Sequence, residues 1–488
     1  MSDAASLIVP ALRWDPVNGF AHLSAFIADA LDLGVGGFLV FGGTAEAVAT
    51  LTTDLHARSR LPLLIAADAE RGAGQQFGGC IGLPPLGALA ALLDPGALRR
   101  AARITARELK ALGVNWALAP VCDLDVAPRN AIVGTRAAAG DPEQMGALLA
   151  EWIDACQAEG VLACAKHFPG HGSADGDSHR GLPVTTKRAE WLWRDELAPF
   201  RHAVDAGVAS VMTAHVAYPA YDATGVPATL SRPLLTELLR GELGFEGLVV
   251  SDALEMAGVL AAGGEAAVAA RAVTAGCDLL LAVSDPAAVI AALDRAVANG
   301  VIPATRIREA VDRRSQRALW ARPAAERRPV TIDDAMWARQ LADQTICMVR
   351  GKSPRFSAAV EIVLVDDDAG GRWVASDRSA FAATFASLDI DAPVVAEPTP
   401  HTRVPVLIAA FADVVDGKGR LGFGGASQAA VSRAISVAQA QRRDACVVLF
   451  SHPSNATDVS DAANVVCAWG GEQPMQEAAA RVLARGGL

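Results

Sequence analysis

The feature that most constrains the fold is a series of eight short apolar runs separated by amphipathic stretches, between residues 7 and 283. The runs are almost continuously apolar, which is typical of strands buried on both faces of a parallel sheet. They are LIVPAL (7–12), GGFLVFG (36–42), LLIAAD (63–68), NWALAPV (115–121), LACAKH (162–167), SVMTAH (210–215), LVVSD (248–252) and DLLLAV (278–283). Eight strands that alternate with helices predict an α/β protein with a (β/α)8 barrel of the TIM type.

Helix signals between the runs support this interpretation. Asp141 and Pro142 form a typical helix start, and the segment that they open ends near Gly160. The last helix of the barrel is expected at about 303–318. We therefore assign residues 1–320 to the barrel domain.

The remainder of the chain has a different organisation. The segment at 321–334 is rich in Pro and Arg and has no hydrophobic period, as expected of a linker. Further apolar runs follow, and Ala-rich helical stretches separate them. These runs lie at 360–365, 404–410, 446–450 and 464–469. Residues 335–488 are therefore predicted to form a smaller α/β sandwich domain.

Composition excludes several classes of protein. The net charge of −11 comes without a basic stripe, which argues against nucleic-acid binding. No apolar stretch reaches the roughly 18 residues of a membrane span, and the N-terminus lacks a signal-peptide pattern, so a cytoplasmic protein is expected. The eight cysteines are scattered and resemble core residues more than metal ligands. The glycine-rich loop at 417–425 lacks the GK[ST] ending of a phosphate loop. We expect no metal and no cofactor.

Ionisable residues occupy the ends of several of the predicted strands. Asp68 ends the third run, Lys166 and His167 the fifth, His215 the sixth and Asp252 the seventh. Any one of them alone could be a buried group bonded to the backbone. Because buried charges need partners and barrel active sites lie at the C-terminal strand ends, we expect these side chains to meet at one mouth.

The loop after the fifth strand is the most informative segment. It contains a Pro and two Gly at 169–172, followed by Asp177-Ser178-His179. An Asp two residues before a His can accept the Nδ1–H of the imidazole, which fixes its tautomer and raises its basicity. A His held in this way can protonate a leaving group and later activate water.

This loop resembles the defining loop of the β-N-acetylglucosaminidase branch of glycoside hydrolase family 3. Four further segments resemble family motifs in the same order, and the tail is similar to the second domain of two-domain members. They are DAERGAGQ (68–75), GTR (134–136) with GDP (140–142), MTAH (212–215) and SDALEM (251–256). The chain departs from the family at Ala253, where many members have Asp, and at Ala137-Ala138, where members have Ser-Phe.

The resemblance implies a retaining exo-β-N-acetylglucosaminidase that works through a covalent glycosyl–enzyme. Asp252 would be the nucleophile and His179 the acid/base, with Asp177 as the group that orients His179. Sugar binding would fall to Asp68, Arg136, Lys166, His167 and His215. The substrate would be a small carbohydrate, either a muropeptide of cell-wall recycling or a chitooligosaccharide. The resemblance implies neither a nucleic acid nor a membrane as a partner. It leaves open whether the protein is a homodimer.

Three alternatives remain at the level of sequence. His179, unlike a carboxylate, would not repel phosphate, so phosphorolysis of N-acetylglucosaminides or glucosides is one of them. A broad-specificity β-glucosidase or xylosidase with an acid/base from the second domain is another, although the complete Asp177–His179 loop argues against it. A catalytically inactive sugar-binding protein is the third, and the presence of both Asp252 and His179 argues against that.

Overall fold

The structure is a computed structural model that describes residues 2–127, 130, 132–321, 329–354, 358–368, 377–413 and 418–486. The chain divides into two compact units. The first comprises Met1–Gly82, Leu93–Val126 and Ala137–Asp334, and the second comprises Leu83–Leu92, Ala127–Arg136 and Ala335–Leu488. Two short segments within the predicted barrel domain are thus grouped with the second unit. Residues 322–328 of the predicted linker lie outside the described residues, and the exact domain boundaries stay a prediction.

Among the described residues of the first unit, every predicted apolar run contains a strand. The strands are β1 (in two pieces, Ile8–Val9 and Ala11–Arg13), β2 (Gly37–Phe41), β3 (Leu64–Ala67), β4 (Trp116–Ala117), β5 (Cys164–Phe168), β6 (Ser210–Thr213), β7 (Leu248–Val250) and β8 (Leu280–Leu281). All their pairings are parallel.

The hydrogen bonds between these strands close a ring. One sheet joins β1 to β4 in chain order, another joins β5, β6 and β7, and β8 pairs with β1. Parallel bridges connect the pieces, with Trp116 opposite Leu162 between β4 and β5, and Val250 opposite Leu279 between β7 and β8. The predicted (β/α)8 barrel is therefore confirmed.

Apolar side chains fill the interior of the barrel. Leu39, Leu64, Trp116 and Leu248 belong to one buried cluster. The indole N–H of Trp116 donates to the hydroxyl of Ser210 at 2.9 Å, so its polar atom is satisfied inside the core. Since each fully buried large apolar side chain stabilises by about 1.5–3 kcal/mol, this core forms a rigid support for the strand ends.

Helices follow the strands of the first unit. They are Ser24–Leu33, Ala45–Arg58, Pro95–Ala111, Pro142–Ala158, Ala189–Arg194, Ala198–Asp205, Pro233–Glu242 (a π-helix), Ala257–Leu260, Glu265–Ala275, Pro286–Ala298 and Ala304–Trp320. The predicted start at Asp141 is confirmed, because its side chain accepts the N–H of Gln144 at 2.9 Å as an N-cap. The helix Ile332–Thr345 contains the division between the units.

The second unit contains a mixed sheet. Its strands are β9 (Cys347–Arg350), β10 (Glu361–Asp366), β11 (Val394–Val395), β12 (Val406–Phe411), β13 (Ala445–Phe450) and β14 (Val465–Cys467), in the order β9-β14-β13-β12-β10-β11. Only the β9–β14 pairing is antiparallel among those described. The helices here are Leu86–Ala91, Ala380–Ala386, Gly425–Ala440 and Gln473–Ala484.

Each face of this sheet has its own apolar cluster. Phe381 and Phe385, with the helix Gln473–Ala484, cover one face. Val431 and Ile435 of the helix Gly425–Ala440 cover the other. This arrangement confirms the predicted α/β sandwich. Across the described part of both units, no helix combines the length and the apolar character that a membrane crossing requires.

Candidate active site

The ammonium group of Lys166, at the end of β5, lies between two carboxylates. Its Nζ is 2.6 Å from Oδ1 of Asp68 and 2.7 Å from Oε1 of Glu70. The side chains of Lys166 and Glu70 are buried, whereas the side chain of Asp68 is 26% exposed. Asp68 is therefore the member of the trio that an incoming ligand can reach. Glu70 was not predicted as a site residue, although it lies two positions after Asp68.

Asp123, in the loop after β4, fixes two histidines. Its Oδ1 accepts the backbone N–H groups of His167 at 3.1 Å and His171 at 2.7 Å, and its Oδ2 lies 2.7 Å from Nδ1 of His167. Burial raises the pKa of Asp123, but the neighbouring His167 and His171 lower it more, so the net pKa is below its ordinary value. The Nδ1–H of His167 is thus directed at a carboxylate, and its Nε2 edge points away from it.

His171 is a buried neutral ring beneath the same loop. Burial lowers the pKa of His171 to about 4, despite the nearby carboxylate of Asp123. Its Nε2 lies 3.4 Å from the hydroxyl of Ser178. These contacts indicate that His171 helps to hold the segment that carries Asp177 and His179 in place.

Asp177 and His179 form a local pair. Oδ1 of Asp177 accepts the backbone N–H of His179 at 2.8 Å and lies 3.0 Å from its Nδ1. The side chain of Asp177 is buried, and that of His179 is 26% exposed. This geometry fixes the Nδ1–H tautomer of His179, so Nε2 is the ring nitrogen that can take up the second proton.

Asp252 follows β7 and is partly buried. Its Oδ1 accepts the N–H of Ala253 at 2.7 Å. Burial raises the pKa of Asp252, but His167, His215, the N–H of Ala253 and the ammonium of Lys166 together lower it below its ordinary value. Asp252 is therefore a carboxylate at neutral pH.

His215, after β6, is fully enclosed by protein groups. Its Nε2 lies 3.0 Å from the carbonyl oxygen of Ala253 and its Nδ1 lies 2.7 Å from the hydroxyl of Thr229. Because a carbonyl can only accept, Nε2 carries the hydrogen. Burial lowers the pKa of His215, so the ring is neutral at neutral pH.

These interactions bring most of the predicted site residues into one cluster at the C-terminal strand ends. His167, His215 and Lys166 lie close enough to Asp252 to lower the pKa of its carboxyl group. His179 in turn contributes to lowering the pKa of His215. Arg136 belongs to the second unit, where its Nη1 donates to the carbonyl oxygen of Ile132 at 3.3 Å.

The sequence analysis did not assign some of the functional partners as site residues. Asp123 and Glu70 both follow predicted strands, so the strand-end signal that found the other residues applied to them as well. Thr229, the partner of His215, carries no comparable signal. It lies in a short 3-10 turn, Ala228–Leu230, between the strands.

The barrel and its strand-end cluster, which contains a carboxylate and an Asp-held histidine, fit a glycoside hydrolase. Residues 25–316 match the family model for the N-terminal domain of glycosyl hydrolase family 3. The chain belongs to glycosyl hydrolase family 3.

Known proteins support the same placement. A β-N-acetylglucosaminidase/β-glucosidase of Cellulomonas fimi is 38% identical over 291 residues, which cover 58% of this chain and 51% of that protein. A β-hexosaminidase of Chromobacterium violaceum is 39% identical over 280 residues, covering 55% of this chain and 78% of that protein. The alignment thus spans about half the length of the first relative and about three quarters of the second.

A solved structure is similar over the full chain. The family 3 β-N-acetylglucosaminidase from Paenibacillus sp. str. FPU-7 superimposes with a TM-score of 0.87 at 28% sequence identity. The superposition covers 100% of this chain and 97% of that one. The second unit is therefore part of a two-domain architecture that at least one other family member has.

Proposed function

We propose that this chain is a retaining exo-β-N-acetylglucosaminidase that removes terminal N-acetyl-β-D-glucosamine from short glycans. The observation that carries the proposal is the cluster in which the ionised Asp252 lies among Lys166, His167 and His215, close to a His179 held by Asp177. A nucleophile, a proton carrier and a group that orients the carrier are the minimum set for double displacement. The names of the relatives and the full-length structural match support the same activity.

In the first step, a carboxylate oxygen of Asp252 attacks the anomeric carbon while the bond from that carbon to the leaving oxygen breaks. Protonated His179 donates its Nε2 proton to the leaving oxygen, so the aglycone departs as a neutral alcohol. Asp177 stabilises the imidazolium before the transfer and keeps the ring oriented. The product of this step is a glycosyl ester of Asp252.

In the second step, the neutral His179 accepts a proton from water as the water oxygen attacks the anomeric carbon. The ester bond to Asp252 breaks, and its electron pair returns to the carboxylate. Two inversions at the same carbon give net retention. The low pKa of Asp252 suits both steps, because it makes this carboxylate available as nucleophile and as leaving group at neutral pH.

The remaining predicted residues would bind the sugar. Asp68, partly exposed beside Lys166, would accept hydrogen bonds from hydroxyl groups, and His167 would present its Nε2 edge. Arg136 stays a predicted binding residue on the evidence of its motif. Both nitrogens of His215 have protein partners, which supports a positioning role for it towards Ala253 and Asp252.

The biological setting follows from the same proposal. A cytoplasmic enzyme of this specificity would act in recycling of cell-wall muropeptides or in degradation of imported chitobiose. The enzyme would bind a small carbohydrate substrate and would need neither a nucleic acid nor a membrane as a partner. A homodimer is consistent with this role.

Product analysis in phosphate buffer tests the proposal. With a chromogenic N-acetyl-β-D-glucosaminide, we expect free N-acetylglucosamine as the first product, with the β configuration before mutarotation. Asp252→Asn should lose about 10⁴-fold or more in kcat. Formation of N-acetylglucosamine 1-phosphate would show that the enzyme is a phosphorylase and not a hydrolase. Faster turnover of the matching glucoside would instead identify a β-glucosidase.

A further inference from the structure

We propose that Glu196 is a positioning residue for the His179 loop, defined here as residues 170–181. This inference rests on the proposed function, because it requires His179 to be the proton donor. Glu196 lies outside every motif noted above. It follows the helix Ala189–Arg194 and precedes the helix Ala198–Asp205, so it reaches the loop from a separate element.

The contact between Glu196 and the loop is direct. The carboxyl group is buried, with the residue only 1% exposed, and its Oε1 accepts the backbone N–H of Ser173 at 2.5 Å. The neighbouring Gly172 packs equally closely. A Cβ at that position would lie 3.2 Å from Oε1 of Glu196 and 2.0 Å from the carbonyl oxygen of Leu124. The base of the loop is thus held between Glu196 and the backbone that follows β4.

From this base the chain continues through two lateral contacts to His179. The hydroxyl of Ser173 lies 2.8 Å from that of Thr185, and Asp175 pairs with Val184 in an antiparallel bridge. The turn of the loop that carries Asp177 and His179 begins directly after this bridge. Displacement of Ser173 would therefore be passed along the loop to the proton donor.

The surroundings of Glu196 favour its neutral form. Burial raises the pKa of Glu196 to about 8, although the N–H and hydroxyl of Ser173 oppose the shift. The carboxylate of Asp123 raises this pKa and the ammonium of Lys187 lowers it, and the phenol of Tyr218 is the other titratable group nearby. Ionisation at alkaline pH would place a second negative charge near Asp123, which holds His167 and His171.

The leaving-group dependence of Glu196→Ala tests this role. A disaccharide such as chitobiose needs protonation of its leaving oxygen, whereas an activated aryl glycoside barely does. We expect kcat/KM to fall by about tenfold or more for the disaccharide and by less than about threefold for the aryl substrate, since only the acid is misplaced. Glu196→Gln keeps an oxygen acceptor for the N–H of Ser173 and should restore the disaccharide activity to within about threefold. Glu190→Ala, at an exposed position on the adjacent helix, is the matched control and should leave kcat/KM unchanged for both substrates.

Equal losses of Glu196→Ala on both substrates, or none, would overturn the inference. His179→Ala in the same assays separates it from the proposed function. If His179→Ala also affects both substrates equally, the proposed acid is wrong; if it discriminates and Glu196→Ala does not, only the role of Glu196 is wrong. Should Glu196→Ala fail to fold, Glu196→Met replaces it in the same assays, because methionine fills a similar buried volume without a strong acceptor for the N–H of Ser173. The same selective loss on the disaccharide is expected, and equal losses on both substrates, or none, would refute the role.

Discussion

The backbone N–H of Gly258 donates to the carbonyl oxygen of Ser178 at 3.0 Å, and this bond joins the segment after Asp252 to the loop that carries His179. The approach is close. A Cβ on Gly258 would lie 2.8 Å from the oxygen of Ser178 and 2.9 Å from the carbonyl oxygen of Gly181. The separation of the proposed nucleophile and acid is therefore set by a main-chain contact, which side-chain rotation cannot relieve.

Gly258→Ala should for this reason impair catalysis more than folding. We expect kcat/KM on a disaccharide to fall by about tenfold or more, and stability to fall by about 1–3 kcal/mol from overpacking. Steady-state kinetics and thermal unfolding measure the two effects. Gly241→Ala is the control, because its nearest atom would be the oxygen of Thr236 at an ordinary 3.5 Å. Wild-type kinetics in Gly258→Ala would show that the contact does not set the site geometry.

Asp177→Asn should give a milder form of the His179→Ala defect. The amide can still contact the ring, but it no longer stabilises the imidazolium, whereas the proton carrier itself is retained. In both variants we expect kcat/KM to fall more for the disaccharide than for an aryl glycoside. The ratio of these two losses should be larger for His179→Ala than for Asp177→Asn. A ratio near one for Asp177→Asn would mean that Asp177 does not act through His179.

The stability of Glu196→Gln relative to wild type should depend on pH. The pKa of Glu196 is raised from 4.5 to about 8 in the folded chain, so the native state binds more protons than the unfolded state between these values. The stabilising contribution of Glu196 is therefore complete below about pH 4.5 and lost as pH rises to about 8. Glutamine does not titrate. Its Tm advantage over wild type should grow across this window and level off above it, and a constant difference would contradict the raised pKa.

Cys347 should be the most reactive of the partly exposed thiols. The neighbouring side chains of Cys467, directly opposite in the β9–β14 pairing, and of Trp469 lower the pKa of Cys347 to about 7 against the effect of burial. Burial raises the pKa of Cys80 to about 12. Because the thiolate is the nucleophile, iodoacetamide at neutral pH should alkylate Cys347 well before Cys80. Peptide mapping over time measures the order, and equal rates would refute it.

The positions of the barrel strands could be predicted from the sequence, whereas the strand pairings that close the barrel could not. Strands such as β3 and β7 are apolar on both faces, so their runs stand out from the helices. The bridge between Val250 and Leu279 that helps to close the ring depends on spatial pairing, which no local run specifies. The strands β9 and β11 were missed, because the first is only partly buried and the second has two residues.

The site shows the same division between local and distant contacts. Asp177 and His179 are two positions apart, so their hydrogen bond could be predicted from spacing. Asp123 holds a histidine from 44 positions earlier in the chain, and Glu196 reaches Ser173 from 23 positions later. Such pairs depend on the folded arrangement of the loops, and single-sequence patterns carry no information on it.

Covalent labelling tests the central claim most directly. A 5-fluoro N-acetylglucosaminyl fluoride slows both steps, but its good leaving group lets the first proceed, so the glycosyl–enzyme accumulates. Peptide mapping by mass spectrometry should find one adduct, on the carboxylate of Asp252, and the adduct should be absent from Asp252→Asn. An adduct on another residue, or turnover of the reagent with no covalent species in the wild type, would contradict the account.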